Sequence, residues 1–311
     1  PVPVEVIRVG KWKGMGIRAR LKGLASLPGA LVRARSLVRR IRPVAAVGFG
    51  GYTTGPVMLA AALAGVPSAI CEENAVPGMT NRLLARFVDV AFVPSDPAAA
   101  RLACRRTVVS GVPVRPEILA VEPRDPGEEP RRVLVLGGSQ GSAFLNVRVP
   151  SVLARVAARM PRIQVIHQTG KGREEGVRKA YRDLGIDADV REYLPRVSEA
   201  YAWAHLVIAR AGAGTVSEVS AVGIPALFVP FAAATDDHQA ANARPIVEAG
   251  GALMVREEEF DEERVAVNLV QVLGDPERLR EMGRRSRSRG RRDAIEVMGR
   301  QVLEWAAGGA R

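Results

Sequence analysis

Cysteine is nearly missing from this chain: Cys71 and Cys104 are the two in 311 residues. Two thiols cannot build a disulfide framework or a multi-cysteine zinc site, and their scarcity fits a reducing compartment. Aromatic residues make up only 5% of the chain and no nucleic-acid recognition motif is found, which weighs against a nucleic-acid-binding protein. Long apolar runs are missing too. Residues 43–71 carry no charge, but the glycine-rich segment 48–56 and Pro67 interrupt them, leaving about ten helical residues where a membrane span needs roughly 20. No basic-then-apolar leader follows Pro1, and the chain reads as beginning inside a larger protein. Finally, acid is absent from residues 6–71, which hold eleven of the 45 basic residues: Arg8, Lys11, Lys13, Arg18, Arg20, Lys22, Arg33, Arg35, Arg39, Arg40 and Arg42. Against 33 acids the rest is almost neutral, so the net charge of +12 is one local block, and a polyanionic partner is expected there.

What is present is a globular α/β pattern, with 47% hydrophobic residues and room for one or two packed domains. Short β-rich runs at 44–47, 68–70, 88–93, 107–110, 133–136, 163–166, 206–209, 226–229 and 252–255 predict strands. Helical periodicity occupies 143–159, 174–183, 196–204, 215–222, 239–249 and 262–273. Such alternation predicts parallel sheets covered on both faces. The proline- and charge-rich stretch 122–132 reads as a linker, dividing the chain into domains 1–122 and 123–311. The arginine-rich stretch 284–292 reads as a solvated helix end.

Three glycine-rich elements carry the chemistry. Val133-Leu134-Val135-Leu136 runs into Gly137-Gly138-Ser139-Gln140-Gly141-Ser142 and then a helix. Such a turn lets backbone approach a ligand, and the free N–H groups of the helix favour an anion such as a diphosphate. It matches neither the dinucleotide fingerprint nor the P-loop, and a purely structural turn is the plain alternative. Arg210-Ala211-Gly212-Ala213-Gly214-Thr215-Val216-Ser217-Glu218 repeats the arrangement, with Glu218 placed to accept from vicinal ribose hydroxyls or simply to meet the helix dipole. The third, residues 48–56 with Gly50 and Gly51, reads as a cleft wall or a packing loop. His238, Gln239 and Asn242 start a helix after a strand; Gln239 and Asn242 share a face that can grip sugar hydroxyls, with helix capping the alternative. Asp187-Ala188-Asp189 has the spacing of a metal-binding pair in a helix-to-strand connector, and no other ligand stands near it in sequence.

In this order the motifs resemble the UDP-N-acetylglucosamine transferases of peptidoglycan synthesis (MurG type), glycosyltransferases of the GT-B fold. The resemblance runs from residues 7–16 to the last helix. Its most specific points are Gly48-Phe49-Gly50-Gly51-Tyr52-Thr53-Thr54-Gly55-Pro56, Glu72-Glu73-Asn74 with Pro77-Gly78 and Asn81, Gly111-Val112-Pro113-Val114-Arg115, 137–141 with Asn146, His167-Gln168-Thr169-Gly170-Lys171-Gly172, and 212–218 with His238-Gln239.

The resemblance implies two Rossmann-like parallel-sheet domains. The N-terminal one would be incomplete and face the acceptor and membrane, the C-terminal one would bind UDP-N-acetylglucosamine, and the last helix would pack back on the first domain. It places uracil at the backbone of Leu194, ribose at Glu218 and the phosphates at Ser139 and the backbone of Ala213, Gly214 and Thr215. The amino sugar falls near Gln239, His238 and Asn74, with Arg115 at the domain junction. Gly50, Gly51, Gly137, Gly138 and Gly141 would face phosphates. The implied reaction is inverting transfer of N-acetylglucosamine to the muramoyl 4-hydroxyl of lipid I, giving lipid II with no cofactor or metal. Departures lie on the acceptor side. The family's Gly-x-x-Gly-Gly-His loop has no counterpart here, and Cys71, Glu73 and Val112 replace its histidine, glutamine and asparagine. That leaves Glu72, Glu73 and His238 as candidate bases. The basic block, with Ile17, Leu21, Leu24, Leu31, Val38 and Ile41 at helical spacing broken by Pro28-Gly29, reads as a helix pair. Its cations would dock residues 8–42 on the anionic cytoplasmic face of a bacterial plasma membrane, as a peripheral protein. Three alternatives stay open: another GT-B glycolipid transferase, a chain that binds donor but transfers poorly, and a basic nucleic-acid-binding protein.

Overall fold

Runs of aliphatic and β-branched residues bounded by glycine and proline become strands buried on both faces, and every strand pair among the described residues is parallel. The structure, a computed structural model, describes residues 4–6, 27–51 and 53–308. The chain separates into two compact units, Pro1–Val112 with Asp293–Arg311, and Pro113–Arg292.

In the first unit, α1 (Leu27–Ile41), β1 (Ala46–Gly48), α2 (Thr54–Leu63), β2 (Ser68–Cys71), α3 (Met79–Leu84), β3 (Val90–Val93), α4 (Asp96–Ala99) and β4 (Arg106–Val109) follow one another. The strands lie in the order β1-β2-β3-β4. Ile70, Ala91 and Val93 point to one face of this sheet, where they meet Met58 and Leu84. Ala69, Cys71, Val90 and Phe92 point to the other, where the C-terminal helix Ala294–Gly308 covers them with Met298, Val297 and Trp305. Pro28 and Gly29, expected to break a helix pair, sit instead in the first turn of α1, where proline's missing N–H costs nothing. Ile17, Leu21 and Leu24 lie outside the described residues.

In the second unit come α5 (Pro116–Leu119), β5 (Arg131–Leu136), α6 (Ala143–Arg159), β6 (Ile163–Gln168), α7 (Glu174–Asp183), β7 (Ala188–Arg191), α8 (Val197–Trp203), β8 (Leu206–Ala209), α9 (Ala213–Val222), β9 (Ala226–Phe228), α10 (His238–Glu248), β10 (Ala252–Met254), α11 (Glu262–Leu273) and α12 (Pro276–Arg287). The strand order is β10-β9-β8-β5-β6-β7. One apolar layer, built on Leu145, Leu153, Tyr181, Leu269 and Leu279, covers one face; another, built on Tyr201, Val219 and Ile246, covers the other.

Two expectations are corrected here. The domain change falls at Val112, not at 122, because Val114, Ile118 and Val121 are buried against Leu134 and Leu136 of β5. The stretch 122–132 is no linker: Arg131 is buried and donates to the carbonyls of Leu273 (2.7 Å), Pro126 (2.6 Å) and Glu128 (2.7 Å). The pattern also misses β7, an edge strand in which Val190 alone is buried. There Asp189, half of the apparent metal-spaced pair, ion-pairs with Arg191 at 2.5 Å. The arginine-rich end belongs to α12, a full helix capped by Asp275, whose carboxylate accepts from the Arg278 N–H at 3.0 Å.

Candidate functional site

The order of the second sheet reverses between β5 and β8. From β5 the chain works outward through β6 to β7, then returns to β8 and works outward the other way. At such a switch point the loops leaving two neighbouring strands turn apart and open a crevice at the strands' carboxyl ends. Both glycine-rich elements of this unit leave those two strands. The crevice is lined by Leu136, Gly138 and Ser139 after β5, Gln168 at the end of β6, Tyr193 and Leu194 after β7, Val197 and Tyr201 of α8, Gly214, Thr215 and Glu218 of α9, and Arg115 before α5. The structure thus gathers Arg115, Ser139, Leu194, Gly214, Thr215 and Glu218 from across more than 100 residues of sequence. Ala213, the first residue of α9, adjoins this set without lining the crevice.

Within the β5–α6 loop the glycines have separate duties. Gly138, at φ +81° with open space around it, lines the crevice. Gly141 does not face it, contrary to expectation: a Cβ there would lie 2.0 Å from the Thr169 carbonyl oxygen. Gly141 and Gly170 are packed backbone to backbone, which joins this loop to the one after β6. Gly137 is buried in the turn, where a Cβ would meet the Ser142 N–H nitrogen at 2.5 Å. The motif at 167–172 serves this joint. His167 is fully buried, sharing hydrogen bonds with the Tyr181 hydroxyl (2.9 Å) and Asn146 Oδ1 (3.2 Å), and Asn146 Nδ2 donates to the Thr169 carbonyl at 3.0 Å. Burial pulls the His167 imidazole down to about 3, so it is neutral and structural.

Glu218 is half-buried and held from two sides. The Tyr201 hydroxyl donates to its Oε2 at 2.9 Å, and an Arg115 guanidinium nitrogen stands 3.6 Å from its Oε1. Burial pushes its carboxyl above the usual carboxylate range, while the Tyr201 bond and the Arg115 charge pull the other way. Nothing in the sequence marks Tyr201 as more than a core aromatic. Nor does it give a role to Arg210, a cation directly after an apolar buried strand. That placement demands partners, and the structure supplies them. Arg210 donates from Nε to Ser142 Oγ (2.8 Å), ion-pairs with Glu257 (2.5 Å) and lies over the rings of Phe144 and Phe231. Ser142 in turn caps α6 by accepting from the Leu145 N–H at 3.2 Å. Arg210 therefore fastens the β5–α6 loop to the ends of β8 and β9, and burial lowers its own pKa.

The segment after β9 does not line the crevice. Gln239 Oε1 accepts from the Phe231 N–H at 3.0 Å, which leaves the side-chain NH2 to donate elsewhere. Asn242, expected to share a sugar-binding face with Gln239, is turned to the Ala211 carbonyl at 3.2 Å, tying α10 to the β8–α9 loop. Asp236 and Asp237 precede His238 with left-handed φ of 56° and 52°, a backbone most side chains avoid. Arg256 anchors Asp237 at 2.6 Å and lowers its pKa.

In the first unit the candidates cluster at the carboxyl end of β2. Glu72 is 3% exposed and accepts four hydrogen bonds: from the backbone N–H of Asn74 (2.9 Å) and Gly78 (2.9 Å), and from the side-chain amides of Asn74 (3.3 Å) and Asn81 (2.9 Å). Its lone pairs are spent on shaping the 72–81 loop. Glu73 is half-buried, and burial together with its neighbour Glu72 pushes its carboxyl up. Burial and both glutamates hold the Cys71 thiol up at about 12, which keeps it protonated at neutral pH. Gly50 and Gly51, at φ +72° and +78°, turn into α2 beside this loop: a Cβ on Gly50 would lie 3.5 Å from Asn81 Nδ2. Among the described residues no group of three or more His, Cys, Asp or Glu is arranged to hold a metal ion.

Comparison with known proteins matches residues 132–298 to the glycosyltransferase family 28 C-terminal domain and residues 1–93 to its N-terminal domain. The UDP-N-acetylglucosamine--N-acetylmuramyl-(pentapeptide) pyrophosphoryl-undecaprenol N-acetylglucosamine transferase of Anaeromyxobacter sp. (strain Fw109-5) is 43% identical over 91% of this chain and 74% of its own length. The enzyme of the same name from Myxococcus xanthus (strain DK1622) is 40% identical over 95% of this chain and 78% of its own. Among solved structures, Acinetobacter baumannii MurG superposes with a TM-score of 0.75 at 30% identity, over 92% of this chain and 79% of that one. A structure of S. aureus MnaA with UDP, at 15% identity and a TM-score of 0.66, over 91% of this chain and 82% of that one, shares the fold. By these matches the chain belongs to glycosyltransferase family 28 and, within it, to the MurG transferases.

Proposed function

We propose that this chain transfers N-acetylglucosamine from UDP-N-acetylglucosamine to the muramoyl 4-hydroxyl of lipid I, with inversion, producing lipid II. The observation that carries the reading is the switch-point crevice: in a MurG-family chain, Ser139, Leu194, Gly214, Thr215, Glu218 and Arg115 line one cavity. Its parts suit a nucleoside diphosphate. Glu218 accepts from the ribose diol, the Leu194 backbone meets uracil, and Ser139 with the first N–H groups of α9, at Ala213, Gly214 and Thr215, takes the phosphates. As the glycosidic bond breaks, charge grows on the departing UDP, and the same fixed dipoles stabilise it, so the reaction calls for no metal or other cofactor. Gln239 and His238 are the donor-side candidates for the amino sugar, and Asn74 is the first unit's.

On the acceptor side, with Glu72 committed to its loop, Glu73 is the carboxyl left as a candidate to take the proton of the attacking hydroxyl, and His238 the other candidate. The engagement of Glu72 also supports a second reading, in which the chain binds donor and transfers poorly. Transfer of labelled N-acetylglucosamine to a lipid I analogue decides between them, with calorimetric titration of UDP alongside. Transfer with UDP binding is the expected result. UDP binding without transfer selects the second reading, and absence of UDP binding overturns both. Transfer to diacylglycerol in preference to lipid I would instead identify another glycolipid transferase.

We further propose that the chain works as a peripheral protein on the anionic cytoplasmic face of the plasma membrane. Among the described residues no helix is long and apolar enough to cross a membrane. The docking surface differs from the expected one, because Leu31 and Val38 pack against α2 with Ala60 and Ala61 and cannot enter lipid. Among the described side chains, Val32 (69% exposed), Ile41 (56%) and Leu63 (69%) are large apolar groups that α1 and α2 leave on the surface, with Arg33, Arg35, Arg39 and Arg40 on α1.

A further inference from the structure

Tyr201 has no solvent exposure, and its single polar atom is spent on Glu218: the hydroxyl of α8 donates to Oε2 of α9 at 2.9 Å. Arg115, leading into α5, stands against the other carboxylate oxygen at 3.6 Å. A glutamate side chain has three rotatable bonds, and a free one spreads over many rotamers. Here a buried phenol, immobilised by the apolar layer it completes, fixes the carboxylate from below. A bond to an ionised acceptor is stronger than one between neutral groups, so the arrangement also favours the charged, accepting form of Glu218.

We propose that Tyr201 is a positioning residue for nucleotide recognition. By occupying Oε2 it holds the Glu218 carboxylate in one orientation and leaves Oε1 as the oxygen offered to the donor's ribose. Tyr201 also lines the crevice, but its hydroxyl is committed to Glu218, so it acts through that carboxylate. The proposal rests on the reading of Glu218 as the ribose acceptor.

The test uses the full chain and compares UDP with 2′-deoxy-UDP by calorimetry. Tyr201→Phe keeps the ring and removes one oxygen. It is expected to lower the preference for UDP over 2′-deoxy-UDP about fivefold, while affinity for 2′-deoxy-UDP is little changed. KM for UDP-N-acetylglucosamine rises with kcat held. Glu218→Ala abolishes the preference by itself, and adding Tyr201→Phe to it changes nothing further, as two residues acting through one contact require. If Glu218→Ala leaves the preference intact, the ribose reading fails and the proposal with it. If Glu218→Ala removes the preference but Tyr201→Phe leaves it whole, the ribose reading stands and the positioning role is overturned. Should Tyr201→Phe not fold, Glu218→Asp, too short to reach the buried hydroxyl, must lose the preference; its retention there overturns the proposal as well.

Discussion

At the scale of single residues, burial decides which polar side chains are chemistry and which are scaffold. Glu72 stands in a motif that suggests a base, yet its four donors make it the keystone of the 72–81 loop. Glu72→Gln puts an NH2 group against donors in a buried site and is expected to cost about 2 kcal/mol, read as a lower urea midpoint. Glu73→Gln is expected to leave that midpoint unchanged and to lower kcat, as loss of the proposed base requires. His167 makes stability depend on pH. The unfolded chain takes up a proton on this ring near 6.5, whereas the folded one does so only at about 3. Between those values the unfolded state binds more protons, so stability falls as pH falls. From pH 7 to 5 the loss attributable to His167 is about 2 kcal/mol, and urea titrations of His167→Gln should lack it. Sequence identified the type of these residues and their order along the chain. It could not assign Glu72 its partners, because those come from Asn74, Gly78 and Asn81, which only a folded loop brings within reach.

At the scale of elements, the site is built from loops that alternation predicts and whose joints it does not. Strands followed by glycine turns were legible because burial on both faces demands apolar runs and a tight exit demands glycine. Gly141 and Gly170 are 29 positions apart, and nothing in either motif says that they touch. Their backbones meet because β5 and β6 are paired in register, Leu136 beside Gln168, which brings the two exit loops together. Gly141→Ala would drive a methyl into the Thr169 carbonyl at a left-handed φ of 70°. The expected outcome is a loss of at least about 2 kcal/mol of stability, with UDP affinity reduced because the Gly138–Ser139 loop shifts. Denaturation and calorimetry on the same sample would check both. The edge strand β7 escaped notice for the complementary reason: with only Val190 buried, no apolar run marks it.

At the scale of the whole molecule, the basic block makes membrane docking measurable. Each surface cation near an anionic leaflet contributes roughly 1 kcal/mol. Replacing Arg33, Arg35, Arg39 and Arg40 together by Ala should weaken sedimentation with phosphatidylglycerol vesicles by at least about tenfold. Binding should also fall with rising salt, while UDP affinity in the second unit stays unchanged. Retained vesicle binding would remove the proposed surface. By itself the sequence determined the α/β class, the parallel sheets, the glycine turns at strand ends and the concentration of charge, because each follows from local periodicity or composition. The tertiary structure decided which turns share a crevice, since strand order is written in pairings between distant segments. It also decided which apolar residues of α1 are core and which are surface, because that depends on where α2 lies. And it decided the orientation of Glu218, because the carboxylate is held by a hydroxyl and a guanidinium that reach it from α8 and from the residue before α5.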